Sequence, residues 1–363
     1  MKEVEFLKQS LEIPSVSGNE RRFSLFLSEK MAELGYEVWS DPAGNIIGQI
    51  GSGTPVLLLA SHLDTVTGMI PIEIKEGKLY GRGAVDAKGS LISMICAAAR
   101  CIGKNILGKI IVAGIVEEES SLRGIEALLG IAEKVDYAVF GEPSGIDRIC
   151  IACKGRIHLH VTFQVSFGSS HVSSSEINKN AIHESIEFWN QLRNKMQEKP
   201  FQGKTAYFSV EPNITLIYGG TSTNILPDIC MLDIDLRFPS GITSAQILKA
   251  IENIIEDFQA ARGIQISYEI LSRIEGYRAE KDTKLVNSLK TAIETVINQD
   301  PKFLRKAGTN FMAPIGNAWQ IPVISYGPGN PSLEHTPIES IDLSEFQQAI
   351  NVIERFISIF LSE

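Results

Sequence analysis

Five short segments of the 363-residue chain carry the residue types that hold metals and move protons. Ala60-Ser61-His62-Leu63-Asp64-Thr65-Val66 sets an imidazole two residues before a carboxylate, and Gly81-Arg82-Gly83-Ala84-Val85-Asp86-Ala87-Lys88-Gly89 holds a carboxylate in a glycine-rich loop. Val116-Glu117-Glu118-Glu119 and Phe140-Gly141-Glu142-Pro143 add further acids, and Glu334-His335-Thr336-Pro337 supplies a second histidine. Taken singly, each has an ordinary reading, since a lone histidine after a strand is usually exposed or hydrogen-bonded and adjacent glutamates usually face solvent. These clusters fall at the ends of predicted strands, however, where open α/β sheets gather their ligands. Several carboxylates and two imidazoles cannot be crowded together without a cation to neutralise them. A divalent metal pair would do so. Histidine and carboxylate donors suit Zn2+, with Co2+ or Mn2+ as substitutes, and a shared carboxylate can hold two ions about 3.5–4 Å apart.

The elements that must position these residues alternate along the first third of the chain. Residues 3–11 and 22–34 have helix-like apolar spacing, and Ser17 with Glu20 resembles a capping box ahead of the second helix. Strand-like runs at 45–50, 56–60, 109–116 and 137–140, with helices at 90–100 and 125–133 between them, predict an α/β sheet covered by helices. After Lys154-Gly155 the order becomes strand (156–165), helix (180–197), two strands (207–218 and 229–238), helix (244–261) and strand (264–271). That βαββαβ order reads as an inserted α+β domain with a ferredoxin-like sheet. From about residue 274 the α/β pattern resumes, with a helix at 284–298, a strand at 322–326 and a helix at 343–361. The predicted division is a discontinuous first domain, residues 1–154 and 274–363, interrupted by a second at 155–273.

Composition excludes several classes. With 34 Lys and Arg against 43 Asp and Glu, the formal charge of −9 argues against a broad phosphate-binding surface and so against nucleic acid as a partner. Met1-Lys2-Glu3-Val4-Glu5 lacks the basic start and apolar stretch of a secretory signal, and the uncharged run between Lys88 and Arg100 is far short of the ~20 residues of a membrane span. Cys96, Cys101, Cys150, Cys153 and Cys230 form an odd, sparse set that reads as the reduced thiols of a cytoplasmic protein. Cys150 and Cys153 are spaced as a CxxC pair, but no second pair completes a zinc site and their surroundings read as a strand. No GxSxG elbow is present, and His183-Glu184 is followed by Ser185, Ile186 and Glu187 rather than by the rest of an HExxH motif. Gly203-Lys204-Thr205 has Glu198 where the first glycine of a phosphate loop would stand.

Taken in order, His62-x-Asp64, the GRGxxDxKG of residues 81–89, the tandem glutamates, Gly141-Glu142-Pro143 and the late His335 resemble the co-catalytic zinc amidohydrolases. That family includes acetylornithine deacetylase, succinyl-diaminopimelate desuccinylase, aminoacylase and glutamate carboxypeptidases. The resemblance covers essentially the whole chain. It implies a catalytic domain interrupted by a dimerisation or lid domain, a homodimer, and two zinc ions per chain. By position, His62 and Glu142 would complete one zinc site, Glu118 and His335 the other, and Asp86 would bridge both. Asp64 would orient the His62 imidazole, and Glu117 would be the general base that takes a proton from the attacking water and delivers one to the departing amine. Three successive glutamates leave a second register open, in which Glu118 is the base and Glu119 the ligand. Gly168-Ser169-Ser170-His171 resembles the family segment whose histidine reaches the partner subunit's active site, where His171 would stabilise the oxyanion. Asn224, Arg237 and the Gly308-Thr309-Asn310 loop match positions that contact substrate, with Arg237 suited to a carboxylate.

Within the family the motifs look most similar to the branch that releases lysine or ornithine from an amino-group carrier protein. There the carrier's C-terminal glutamate is joined through its side-chain carboxyl to the amino acid's α-amino group. The implied substrate is thus a carrier-linked or otherwise N-acylated amino acid of lysine or arginine biosynthesis. Deacetylation of acetylornithine or acetyl-lysine and desuccinylation of succinyl-diaminopimelate are the near alternatives, and dipeptidase or carboxypeptidase activity is a farther one. A non-catalytic relative that only binds would differ from all of these in failing to hold metal. A protein substrate needs an open cleft with basic residues, whereas an acetylated one fits a closed pocket.

Overall fold

The structure, a computed structural model, describes residues 2–130, 134–165, 169–174 and 178–362. Two compact units divide the chain: Met1–Ala152, Ala279–Arg305 and Asn310–Glu363 form the first, and Cys153–Arg278 with Lys306–Thr309 the second. The boundaries lie at 153 and 278, against 155 and 273 in the sequence reading, and the short run Lys306–Thr309 joins the second unit. Thr309 is tied in there by its hydroxyl, which donates to the Lys154 carbonyl at 2.7 Å.

In the first unit the sheet order is Glu37–Ser40, Ile46–Ser52, Gly108–Ile115, Val56–His62, Tyr137–Phe140, Val323–Ser325 and Arg148–Cys153. Val56–His62 is buried at every position, the mark of a parallel strand covered on both faces, which is why its sequence is an unbroken apolar run rather than an alternating one. Gly108–Ile115, Val56–His62, Tyr137–Phe140 and Val323–Ser325 run parallel. In this register His62 lies level with Ile115, and Ala60 with Phe140. The residues that follow these strand ends, including Glu117, Glu118, Glu119 and Glu142, therefore leave the sheet at one edge. Helix Lys88–Ala99 is buried from Lys88 to Ala98, and Asp86 lies just ahead of it. A small sheet of Glu73–Lys75, Lys78–Tyr80 and Ser340–Asp342 pairs chain segments that are distant in sequence.

The second unit is a four-stranded antiparallel sheet in the order Glu211–Gly219, Ile229–Phe238, Gly155–Gln164, Gln265–Ile274. Numbered by sequence and read from the other edge this is 4-1-3-2, the expected ferredoxin-like arrangement. Gly155–Gln164 alternates buried and half-buried residues, so Ile157, Leu159, Val161 and Phe163 enter one apolar core with helices Ala181–Met196 and Ser244–Arg262. The longer helix starts at a full capping box, Thr243 with Gln246.

Local departures from the expected elements have local causes. The strand expected at 207–218 begins at Glu211 because Ala206–Phe208 is a 3-10 turn. The helix expected at 125–133 runs Arg123–Leu129, and residues 131–133 lie outside the described residues. All five cysteines are buried and outside any disulfide among the described residues, Cys150 and Cys153 lying on one strand. Among the described residues no helix is long and apolar enough to cross a membrane.

Phe188 packs edge-on against Phe163 and Phe258, with centroids 5.2 and 5.8 Å away. Phe188→Ala should lower the opening free energy of the amides in Gly155–Gln164, read by hydrogen exchange, by about 3–5 kcal/mol. A loss below about 1 kcal/mol would contradict this packing.

Candidate active site

His62 ends the central strand and is 1% exposed. Its Nδ1 donates to the Asp64 carbonyl at 2.9 Å, with Asp64 Oδ1 3.4 Å away, which turns Nε2 toward the other acids of the site. Nε2 lies 3.2 Å from Asp86 Oδ1. The other oxygen of the same carboxylate, Asp86 Oδ2, lies 2.9 Å from His335 Nε2, and that nitrogen is 2.8 Å from Glu119 Oε1. Two donors each about 2.0–2.1 Å from a tetrahedral ion stand about 3.3 Å apart, so these separations are close to those of ligands sharing an ion.

Donor atoms gather in three sets, each within 4.8 Å: His62, Asp86 and Glu142; Asp86, Glu119 and His335; His62, Glu118 and Glu119. His62, Asp86 and Glu119 each belong to two of the sets, and of these Asp86 has one oxygen beside each of the two histidines. The electrostatics fits divalent cations. Burial above all, then the neighbouring acids, pushes Glu118 well above the usual carboxylate range, and burial and Asp86 push Glu119 up to about 7. His335 is raised to about 9, chiefly by its bond to Asp86. Burial works against a charged His62, yet Asp64 and Asp86 raise it well above its ordinary value. Protons are thus drawn to the cluster to offset its negative charge, and the imidazole and carboxylate donors are those that suit zinc-like ions instead.

The tandem glutamates resolve into three different environments. Glu117 takes a left-handed φ of 57° at the end of its strand. Its carboxylate is bound by Arg123, through Nε at 2.9 Å and Nη2 at 2.5 Å, and by the Ser121 hydroxyl, which together hold it below the usual range. The next two amides both turn onto Asp64, Glu118 N–H to Oδ1 and Glu119 N–H to Oδ2, each at 3.0 Å. The reading with Glu117 as base and Glu118 as ligand therefore does not fit the geometry. The turn carries Glu117 to Arg123 and brings Glu119 rather than Glu118 to Asp86 and His335, which is the second register. Among the described residues nothing hydrogen-bonds the Glu118 carboxylate.

The capping box expected of Ser17 and Glu20 does not form; both residues serve this turn instead. Ser17 Oγ donates to Asp64 Oδ2 at 2.7 Å, and Glu20 Oε1 accepts the N–H groups of Gly18 and Glu117 at 2.9 and 3.1 Å. Helix Arg21–Glu33 has no side-chain cap. Glu339 is a further residue that the sequence reading missed. Its Oε1 accepts the Val85 and Asp86 N–H groups, and only its place four residues after His335 could have marked it. Lys88 is buried too, donating to the carbonyls of Ser10 and Ile13, so the lysine of the glycine-rich motif braces the N-terminal segment.

His171, Asn224, Arg237, Gly308 and Thr309 belong to the second unit, and Gly168 lies outside the described residues. His171 pairs with Ile225 in a two-stranded ladder, and Val172 N–H donates to the Asn224 carbonyl at 3.1 Å. The exposed His171 ring accepts the Ser173 N–H at Nδ1, which leaves Nε2 to carry the proton. Arg237 Nε donates to Asp235 Oδ1 at 2.6 Å and Nη1 to Thr309 Oγ1 at 3.2 Å, while Gly308 is exposed. Asn310, in the first unit, accepts the Met312 N–H at Oδ1, 3.2 Å away. Its buried Nδ2 has no partner among the described residues.

An α/β sheet whose strand ends converge on two histidines and a shared carboxylate defines a metallohydrolase. The pattern of Peptidase family M20/M25/M40 matches residues 58–359, and the chain belongs to that family. It is 31% identical over 353 residues to the LysW-lysine hydrolase of Deinococcus radiodurans, covering 96% of this chain and 94% of that protein. It is likewise 31% identical over 358 residues to the LysW-lysine/LysW-ornithine hydrolase of Sulfurisphaera tokodaii, again covering 96% of this chain and 94% of the relative. Among solved structures, a Staphylococcus aureus tripeptidase superposes with a TM-score of 0.85 at 20% identity, over 99% of this chain and 98% of its own. A Bacillus subtilis protein described as a dinuclear metal binding peptidase of the M20 family superposes with a TM-score of 0.73 at 15% identity, over 99% and 98%.

Asp64 holds the His62 ring and both amides of the glutamate turn at once. Asp64→Asn should weaken zinc binding about 10–100-fold while the protein stays folded. Calorimetric zinc titration checks this, and wild-type affinity in the folded variant would show that the Asp64 carboxylate does not orient the site.

Proposed function

We propose that the chain is a cytoplasmic, homodimeric di-zinc amide hydrolase that frees lysine or ornithine from an amino-group carrier protein, cleaving the amide between the carrier's terminal glutamate side chain and the amino acid's α-amino group. The chemistry rests on Asp86, whose two oxygens face His62 and His335. The choice of substrate is supported by similarity, over nearly the whole chain, to relatives named for that reaction. His62 and Glu142 would hold one ion, Glu119 and His335 the other, and Asp86 both. Bound there, the metal pair supplies polarisation of the amide carbonyl and a lowered pKa for the attacking water.

The remaining steps fall to side chains. Glu118 lies in the cluster with no competing hydrogen bond, so it can accept the proton of the attacking water and return it to the amine nitrogen as the C–N bond breaks. His171 of a partner copy would donate its Nε2–H to the oxygen that gains charge. Arg237, with Asn224 and the Gly308-Thr309 turn, would hold the carboxylate of the amino acid being released. In this reading the second unit is the lid and dimerisation domain.

Glu118→Gln should lower kcat about 100-fold to 10,000-fold and leave the metal content unchanged, because only proton transfer is lost. Glu117→Gln should stay within about tenfold of wild type, since its carboxylate serves Arg123. The reverse ranking would restore the other register. For substrate, kcat/KM should be highest on carrier protein loaded with lysine or ornithine. Faster hydrolysis of N-acetyl-lysine or N-acetylornithine would make the enzyme a deacetylase.

A further inference from the structure

Glu339 is completely buried, although it lies between a loop and a short strand where a glutamate ordinarily meets solvent. Its Oε1 accepts the N–H groups of Val85 at 2.9 Å and Asp86 at 3.0 Å, and its Oε2 accepts Arg82 Nη1 at 2.7 Å. Arg82 Nε in turn donates to the Gly68 carbonyl at 3.0 Å. Alongside, Ser340–Asp342 pairs with Lys78–Tyr80, and Gly81 N–H donates to the Glu339 carbonyl at 3.3 Å. A buried carboxylate is tolerated only when its charge is fully hydrogen-bonded. Here two of its three donors are the backbone amides of Asp86, whose carboxylate faces both histidines, and of Val85 just before it.

This geometry couples two parts of the site. His335 lies four residues before Glu339, so the Glu339 side chain ties the segment that presents His335 to the loop that presents Asp86, in addition to the strand pairing alongside. With the Val85 and Asp86 amides fixed, the Asp86 carboxylate is aimed with Oδ1 toward His62 and Oδ2 toward His335. We propose that Glu339 is a positioning residue for the metal pair. It sets Asp86 against His335 and thereby governs occupancy of the site these two form with Glu119. The proposal rests on reading Asp86 and His335 as metal ligands.

Two double variants of equal charge isolate the interaction. Glu339→Gln with Arg82→Met keeps an acceptor for the two amides and removes the donor that the new amide would repel; Glu339→Leu with Arg82→Met lacks the acceptor. Zinc alone, titrated by calorimetry into the metal-stripped proteins, should bind as two ions to wild type and to the Gln variant. The second ion should bind the Leu variant about 10–100-fold more weakly, with a matching fall in kcat and little change in KM. Equal affinity of the two variants for the second ion, whether tight or weak, overturns the proposal. A wild type that takes up no second ion overturns the reading of the ligands instead. Should the Leu variant fail to fold, metal-free wild type decides: the Val85 and Asp86 amides should exchange as slowly as those of Val56–His62, and fast exchange removes the role assigned to Glu339.

Discussion

Asp86 presents its two carboxylate oxygens to two imidazoles contributed from residues 62 and 335, and the rest of the first unit serves that contact. Around it stand Glu118, Glu119 and Glu142, a concentration of negative charge that burial makes expensive and that only protons or cations can offset. Such a cluster is stable as a metal site only if its donors are aimed before the ions arrive. Aim comes from buried carboxylates that bind backbone amides rather than metal. Asp64 takes the Glu118 and Glu119 N–H groups, Glu20 takes that of Glu117, and Glu339 takes those of Val85 and Asp86.

The fold makes this possible through register. Because Val56–His62 is buried on both faces and pairs in parallel with Gly108–Ile115 and Tyr137–Phe140, their ends share an edge, and histidine and acidic side chains separated by many residues meet there. The segment bearing His335 is brought in by a different device, the strand Ser340–Asp342 joined to Lys78–Tyr80. The second unit is built on the opposite principle, an alternating sheet with one apolar face.

The sequence showed which segments matter better than it showed which atoms. Unbroken apolar runs such as 56–60 and the βαββαβ order were legible because strand burial and connectivity are written in composition. His62, Asp86, Glu142 and His335 were legible because each is a single chemical residue type in a distinctive setting. Three consecutive glutamates carry no such distinction. Their roles depend on a left-handed turn at Glu117, a conformation that the residue type does not announce. Ser17 and Glu20 read as a helix cap because the local pattern is that of a cap, yet Asp64 and the Glu117 amide, brought close by tertiary structure, compete successfully for them. Glu339 was invisible for the same reason: its three donors are more than 250 residues away in sequence.

The most direct test of the central claim, a metal pair bridged by Asp86, is electron paramagnetic resonance of the manganese-loaded protein at increasing Mn2+. Two ions per chain held about 3.5–4 Å apart by a shared carboxylate predict a spin-coupled spectrum that appears as the second ion binds. A single ion per chain, or two ions giving only the uncoupled six-line signal, would contradict the shared-carboxylate site.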